Sequence, residues 1–142
     1  MQTFLPYSDF KKTAQCLDYR RLVKQRVEAW QIYLTLIHHS NGWQNHPAVK
    51  MWKDSLPALI GYGFCICQEW INRGYKDSMS QKFHSVLMQY EVDGEIDLKP
   101  VWMGDEKFHL SHQSNLVRKF PEHYKKYFPT VPDNLPYIWP KR

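Results

Sequence analysis

The chain has 142 residues, with 19 Lys and Arg against 14 Asp and Glu for a formal charge of +5, and 15% of its residues are aromatic. That length supports one domain with a genuine core, and a pI of about 9.1 suits a polyanionic partner. Lys, Arg, Asp or Gln interrupts every apolar run, which excludes a bilayer span; the N-terminus lacks a secretory pattern, and three cysteines without framework spacing (Cys16, Cys65, Cys67) argue for a reduced cytosolic or nuclear protein.

In chain order, residues 1–7 read as extended, because Pro6 discourages helix at Leu5. Ser8 or Asp9 can cap a first helix that continues towards His39, with a bend in its charged middle. Within it, Val23, Val27, Trp30, Leu34 and Ile37 recur at spacings of four and three and form an apolar stripe. Arg20, Lys24, Glu28 and Gln31 share another face. A basic row carrying one carboxylate, close to the N-terminus, is what an enzyme acting on a nucleic-acid backbone could use; a solvated helix face is the plainer explanation.

Ser40-Asn41-Gly42 is a turn signal. Asn45-His46-Pro47 reads as a helix start with Pro47 at the first position, and Ser55-Leu56-Pro57 as a second start, giving two tandem helices within residues 48–73. Leu56, Leu59, Ile60, Phe64, Cys67, Trp70 and Ile71 make a broad buried stripe, and Gly74 is a stop. A shorter helix is expected over 78–90, an irregular connection over 91–103, and a helix over 106–119 capped by Asp105. Pro121 restarts the chain towards Tyr127. The proline-rich tail from Pro129 is expected to be non-helical and pinned by Tyr137, Ile138 and Trp139. With no repeat or linker, the expectation is a mainly α, compact single-domain helical bundle over 1–142 with irregular N- and C-terminal segments.

Seven histidines invite a metal reading. His109 and His112 could share a helix face, but there is no HExxH and no Cys/His ligand spacing, so neither metal nor cofactor is expected. No GxGxxG, P-loop or GxSxG occurs. Gly61-Tyr62-Gly63 is best explained by close helix packing. Cys16 lies near Lys12 and Arg20, yet no sequence neighbour marks it as a nucleophile. Ser111-His112-Gln113-Ser114-Asn115 is a dense polar patch leading into Arg118 to Phe128, where Lys125 and Lys126 alternate with Tyr124 and Tyr127. Cations there could neutralise phosphates while rings stack on bases; equally, the rings could face the core while the lysines snorkel.

Three segments together resemble the pyrimidine-dimer DNA glycosylase family of the phage endonuclease V type: Tyr19-Arg20-Arg21-Leu22, the run from Cys67 through Arg73-Gly74-Tyr75, and Ser111 to Asn115 followed by Tyr124-Lys125-Lys126-Tyr127-Phe128. The chain is more similar still to a bacterial branch of that family. The residues that carry this are Thr3-Phe4-Leu5-Pro6, Leu17-Asp18, Arg21-Leu22, Lys24-Gln25-Arg26-Val27-Glu28, Gly42-Trp43, Asn45-His46-Pro47-Ala48-Val49, Ser111-His112, Ser114-Asn115-Leu116 and Leu135-Pro136-Tyr137-Ile138-Trp139-Pro140. In order, they cover most of the chain.

The resemblance implies a helical protein that bends DNA, flips a nucleotide and breaks a glycosidic bond, with an N-terminal α-amine forming a Schiff base at the deoxyribose. An α-amine ordinarily titrates at about 7.7–8.0, which leaves a neutral fraction near pH 7. A carboxylate would stabilise the cationic sugar and move protons. Two positions depart from the family: Gln2 is large, so Met1 is expected to be retained, and Arg21 stands where the family has its essential Glu. Glu28, two turns on, either replaces that acid or only pairs with Lys24 or Arg21. The expected site is therefore Met1 and Glu28 for catalysis, Arg20, Arg21, Lys24 and Arg26 on the DNA backbone, His46, His112 and Asn115 at the pocket, and Arg118, Tyr124, Lys125 and Lys126 as further DNA contacts. The expected partner is damaged duplex DNA, met by a monomer without membrane attachment in the cytoplasm or at the nucleoid. The rival readings are a non-catalytic DNA-binding module and an enzyme on another nucleic acid or a small nucleotide.

Overall fold

A computed structural model describes residues 1–38, 42–94 and 99–140, without the side chains of 42 and 43. Among them are seven α-helices and no strand: α1 (Phe10–Cys16), α2 (Tyr19–His38), α3 (Pro47–Lys50), α4 (Leu56–Asn72), α5 (Ser80–Val92), α6 (Glu106–Lys119) and α7 (Pro121–Tyr124), with a 3-10 turn at Gly42–Asn45. Three helix starts follow capping chemistry. Asp9 accepts from the backbone of Lys11 and Lys12, Asp105 from Lys107 and Phe108, and the His46 ring from Ala48, with Pro47 next in line. After α4, Gly74 turns with φ +93°, a conformation open to glycine. His39 and most of the Ser40-Asn41-Gly42 turn lie outside the described residues.

The long first helix is broken rather than bent. Leu17 is extended (φ −71°, ψ 137°), so α1 ends at Cys16 and α2 begins at Tyr19. The break is held from afar. The Arg73 guanidinium donates to the carbonyls of Ala14 (3.2 Å), Gln15 (3.2 Å) and Leu17 (2.7 Å), and to Glu69 (2.8 Å). The three carbonyls lie at the C-terminal end of α1 and at its cap, where helical acceptors lack their usual partners, and a cation satisfies them.

Helix α4 is the hub, packed by α1, α2 and α5. The α4–α5 approach depends on Gly63, where a Cβ would lie 2.2 Å from Phe83 Cε1; Gly61 has open space instead. Trp52, Tyr62, Phe83, Phe108 and Tyr124 are the largest fully buried side chains. Two predicted stripes are corrected. On α2 the buried row is Leu22, Gln25, Ala29, Ile32 and Leu36, while Val27 and Ile37 are exposed. The row is displaced because a buried glutamine occupies it, which an apolarity pattern cannot register. On α4, Ile71 is exposed and Tyr62 and Ile66 are buried. No helix among the described residues is long and apolar enough to cross a membrane.

Candidate active site

The irregular N-terminal segment is largely buried and has no sheet to pair with. Thr3, Phe4, Leu5 and Pro6 are buried, and a buried backbone must find hydrogen-bond partners. Side chains supply them. Gln25 Oε1 accepts from Phe4 N (3.0 Å), and Gln25 Nε2 donates to Gln2 O (2.7 Å). Tyr62 Oη lies 2.8 Å from Phe4 O. Leu5 N donates to His112 Nδ1 (3.0 Å), and His109 Nδ1 donates to Leu5 O (2.7 Å). Gln113 donates to Pro6 O (2.8 Å), and Trp52 Nε1 to Thr3 Oγ1 (3.1 Å). Because Gly104 N donates to His109 Nε2 (3.0 Å), the His109 proton sits on Nδ1, and because Leu5 N is a donor, His112 accepts at Nδ1. The pair therefore grips one residue from both sides, in neutral rings. Burial first, then the neighbouring His109, pushes His112 down to about 3 from 6.5.

This clamp delivers Met1 to a cleft of about 950 Å³. It is lined by Met1, Gln2 and Phe4 of the N-terminal segment, by Tyr19, Arg20, Arg21, Val23, Lys24, Gln25 and Glu28 of α2, by Asp18 at the α1–α2 break, and by Lys119 and Phe120. Tyr19 and Phe120 are exposed aromatic rings beside four cationic side chains, a surface suited to stacking on bases and neutralising phosphates. The two carboxylates in the cleft are held differently. Glu28 Oε2 accepts from Gln25 Nε2 (3.0 Å), and Glu28 forms no ion pair among the described residues. Asp18, 6% exposed, pairs with Arg21 (3.1 Å) and takes the Tyr124 hydroxyl in a short hydrogen bond. Burial opposes its charge, but the Tyr124 and Arg21 hydrogen bonds outweigh that and hold its carboxyl below the usual range. Arg21 is thus paired with Asp18 rather than Glu28.

Of the predicted residues, the fold brings Met1, Glu28, Arg20, Arg21 and Lys24 together at the cleft. His46 is close by: burial and the positive charge of the N-terminus both lower its pKa, and its ring meets Trp139 edge-on at 6.3 Å. Other predicted contacts serve the fold. Arg26 ion-pairs with the buried Asp77 side chain and lies over the Trp70 ring at 5.3 Å. His112 is fully buried at Leu5. Asn115 is fully buried as well, donating to Leu135 O (3.1 Å) and Ser111 O (2.7 Å) and accepting from Arg118, which also reaches Asp133 O (3.2 Å). Tyr124 is buried with its hydroxyl on Asp18, while Lys125 and Lys126 are exposed. For His112, Asn115 and Arg118 the reason is the unpaired backbone of the two irregular termini, which consumes polar groups of α6. Burial pushes the Cys16 thiol up to about 12, which disfavours the thiolate that a nucleophile would need.

Sequence reasoning missed Gln25, Asp18, Lys119 and Phe120 at the cleft. A usable signal existed for Gln25, which falls on the helical row of Leu22, Ala29, Ile32 and Leu36. The described residues contain no group of three or more His, Cys, Asp or Glu placed to hold a metal ion.

Residues 1–83, more than half of the chain and including every α2 residue of the cleft, match the family model described as pyrimidine dimer DNA glycosylase. No curated protein and no solved structure matches the chain. The chain belongs to the pyrimidine dimer DNA glycosylase family.

Proposed function

We propose that the cleft at the N-terminus is the reaction centre of a DNA glycosylase with companion AP lyase activity, acting on damaged or modified pyrimidines flipped out of duplex DNA. The observation that carries this is the meeting of Met1, Glu28, Arg20, Arg21 and Lys24 around one cavity. The neutral α-amine attacks C1′ of the deoxyribose. A C–N bond forms to the amine, the glycosidic bond breaks, and the base leaves with the bonding pair and takes up a proton. Glu28 stabilises the cationic sugar and moves protons as it opens to the imine. Elimination of the 3′ phosphate from that imine is the lyase step. Arg20, Arg21 and Lys24 hold the kinked backbone, and extrusion of the nucleotide costs a few kcal/mol, least at a damaged base. The whole of residues 1–142 acts as one glycosylase domain, as a monomer in the cytoplasm or at the nucleoid, in the bacterial branch whose motifs it resembles.

The test is borohydride trapping on duplexes carrying a cyclobutane pyrimidine dimer or an abasic site, together with base release by Glu28→Gln. An adduct mapped to Met1 and a Glu28→Gln variant that binds DNA within severalfold but releases no base are expected. Full activity in that variant removes Glu28 from the mechanism. A second reading, a DNA-binding module without chemistry, is favoured by the Arg21–Asp18 pair at the position of the family's Glu; it predicts salt-sensitive binding with neither adduct nor base release.

A further inference from the structure

We infer that Gln25 is a positioning residue whose single carboxamide sets the amine-bearing N-terminal segment against Glu28. The inference rests on the glycosylase reading above and adds a residue that the reaction's own groups do not include. Gln25 is 1% exposed on the core face of α2. Its oxygen accepts from Phe4 N (3.0 Å) and from the Tyr62 hydroxyl (2.6 Å), and its nitrogen donates to Gln2 O (2.7 Å) and Glu28 Oε2 (3.0 Å). A carboxamide has two donors and two acceptor sites; here both donors and one acceptor site are filled, and the second acceptor site shares the single Tyr62 hydroxyl proton with Phe4 O. The backbone N–H of Phe4 can only donate and the carbonyl of Gln2 can only accept, so the amide cannot flip without losing both.

Two consequences follow from this geometry. Gln2 O and Glu28 Oε2 hang from the two hydrogens of one planar NH₂ group, which keeps them on the order of 5 Å apart. The carboxylate and the first residues of the chain therefore cannot shift independently. Glu28 also has one oxygen committed to Gln25, which leaves Oε1, unpartnered among the described residues, to exchange protons with substrate. Placement errors of an ångström at a reacting centre cost about a hundredfold in rate.

The test uses the full chain and three substitutions, read by duplex affinity, single-turnover base release on dimer-containing DNA, borohydride trapping on abasic duplex, and thermal midpoint. Gln25→Met fills the same space without polar atoms. Gln25→Glu keeps an acceptor for Phe4 and Tyr62 and loses both donors. Gly63→Ala loosens the core at the α4–α5 contact, where its Cβ would meet Phe83, and touches neither the amide nor the cleft. Expected are a loss of about a hundredfold in base release and about tenfold in trapping for both Gln25 variants, with duplex affinity changed by less than about threefold. Gly63→Ala, carrying a comparable drop in thermal midpoint, is expected to lose less than about threefold, which separates positioning from general loosening. Base release within threefold of wild type in either folded Gln25 variant overturns the inference. So does failure of both variants to fold, which would assign Gln25 to the core alone. Wild-type protein with neither base release nor trapping overturns the glycosylase reading and this inference with it, whereas active wild type with active Gln25 variants overturns only the latter.

Discussion

Acid should release the N-terminal clamp through His112, and the size of the effect follows from its burial. The ring is fully buried between Phe108 and Tyr137, accepts from Leu5 N at Nδ1, and has no hydrogen-bond partner at Nε2. Protonation would require a second N–H where Leu5 already donates. Its pKa falls from 6.5 to about 3 on folding. A base with a depressed native pKa binds its proton more readily in the unfolded chain. Its contribution is therefore complete above about pH 6.5 and lost as pH falls from there towards 3. The slope is about 1.4 kcal/mol per pH unit, so moving from about pH 7.5 to about pH 5 should cost about 2 kcal/mol through this one residue. The assay is urea unfolding of wild type and His112→Asn at both pH values. Asn keeps an acceptor for Leu5 N and does not titrate, so other groups cancel in the difference, apart from the adjacent His109. The stability advantage of wild type over the variant should shrink by about 2 kcal/mol. Parallel pH dependences would refute the reasoning and mean that His112 is protonated or solvated in the native state.

Arg26→Ala should leave the fully buried Asp77 carboxylate unpaired and cost about 3–5 kcal/mol in chemical denaturation, with duplex affinity unchanged within about twofold; Lys24→Ala, at the cleft, should instead weaken binding and reduce the salt slope by about one. Gly63→Ala should lower the thermal midpoint, because its Cβ would meet Phe83 at 2.2 Å and overpacking costs about 1–3 kcal/mol, whereas Gly61→Ala, facing open space, should gain up to about 1 kcal/mol from helix propensity. Cys16 and Cys67, both pushed up to about 12 by burial, should resist maleimide at neutral pH in the native protein and react in urea; rapid native labelling of Cys16 would reopen it as a nucleophile.

Much of the local structure was legible in single residues. Asp9, His46-Pro47 and Asp105 mark helix starts, and Gly74 a stop, because capping and left-handed turns involve only near neighbours. The cluster of Arg20, Lys24 and Glu28 was legible too, since helical spacing alone puts these residues on one face. The break at Leu17 was not, because it is fixed by Arg73, 56 residues away. Nor were the roles of His112, Asn115 and Tyr124. A polar side chain on a helix looks the same in sequence whether it meets DNA or a buried backbone.

By itself, then, the sequence determined a basic, mainly helical chain, the positions of its caps, and a cationic row with one carboxylate near the N-terminus. Only the tertiary structure decided which polar groups face the cleft and which face inward. The physical reason is the irregular N-terminal segment, buried at residues 3–6. It has no sheet to pair with, so its buried N–H and C=O groups draw partners from Gln25, 21 residues from Phe4, and from His112, 107 residues from Leu5. Those partnerships bring Met1 and Gln2 to the cleft that Glu28 also lines, and no local pattern encodes them.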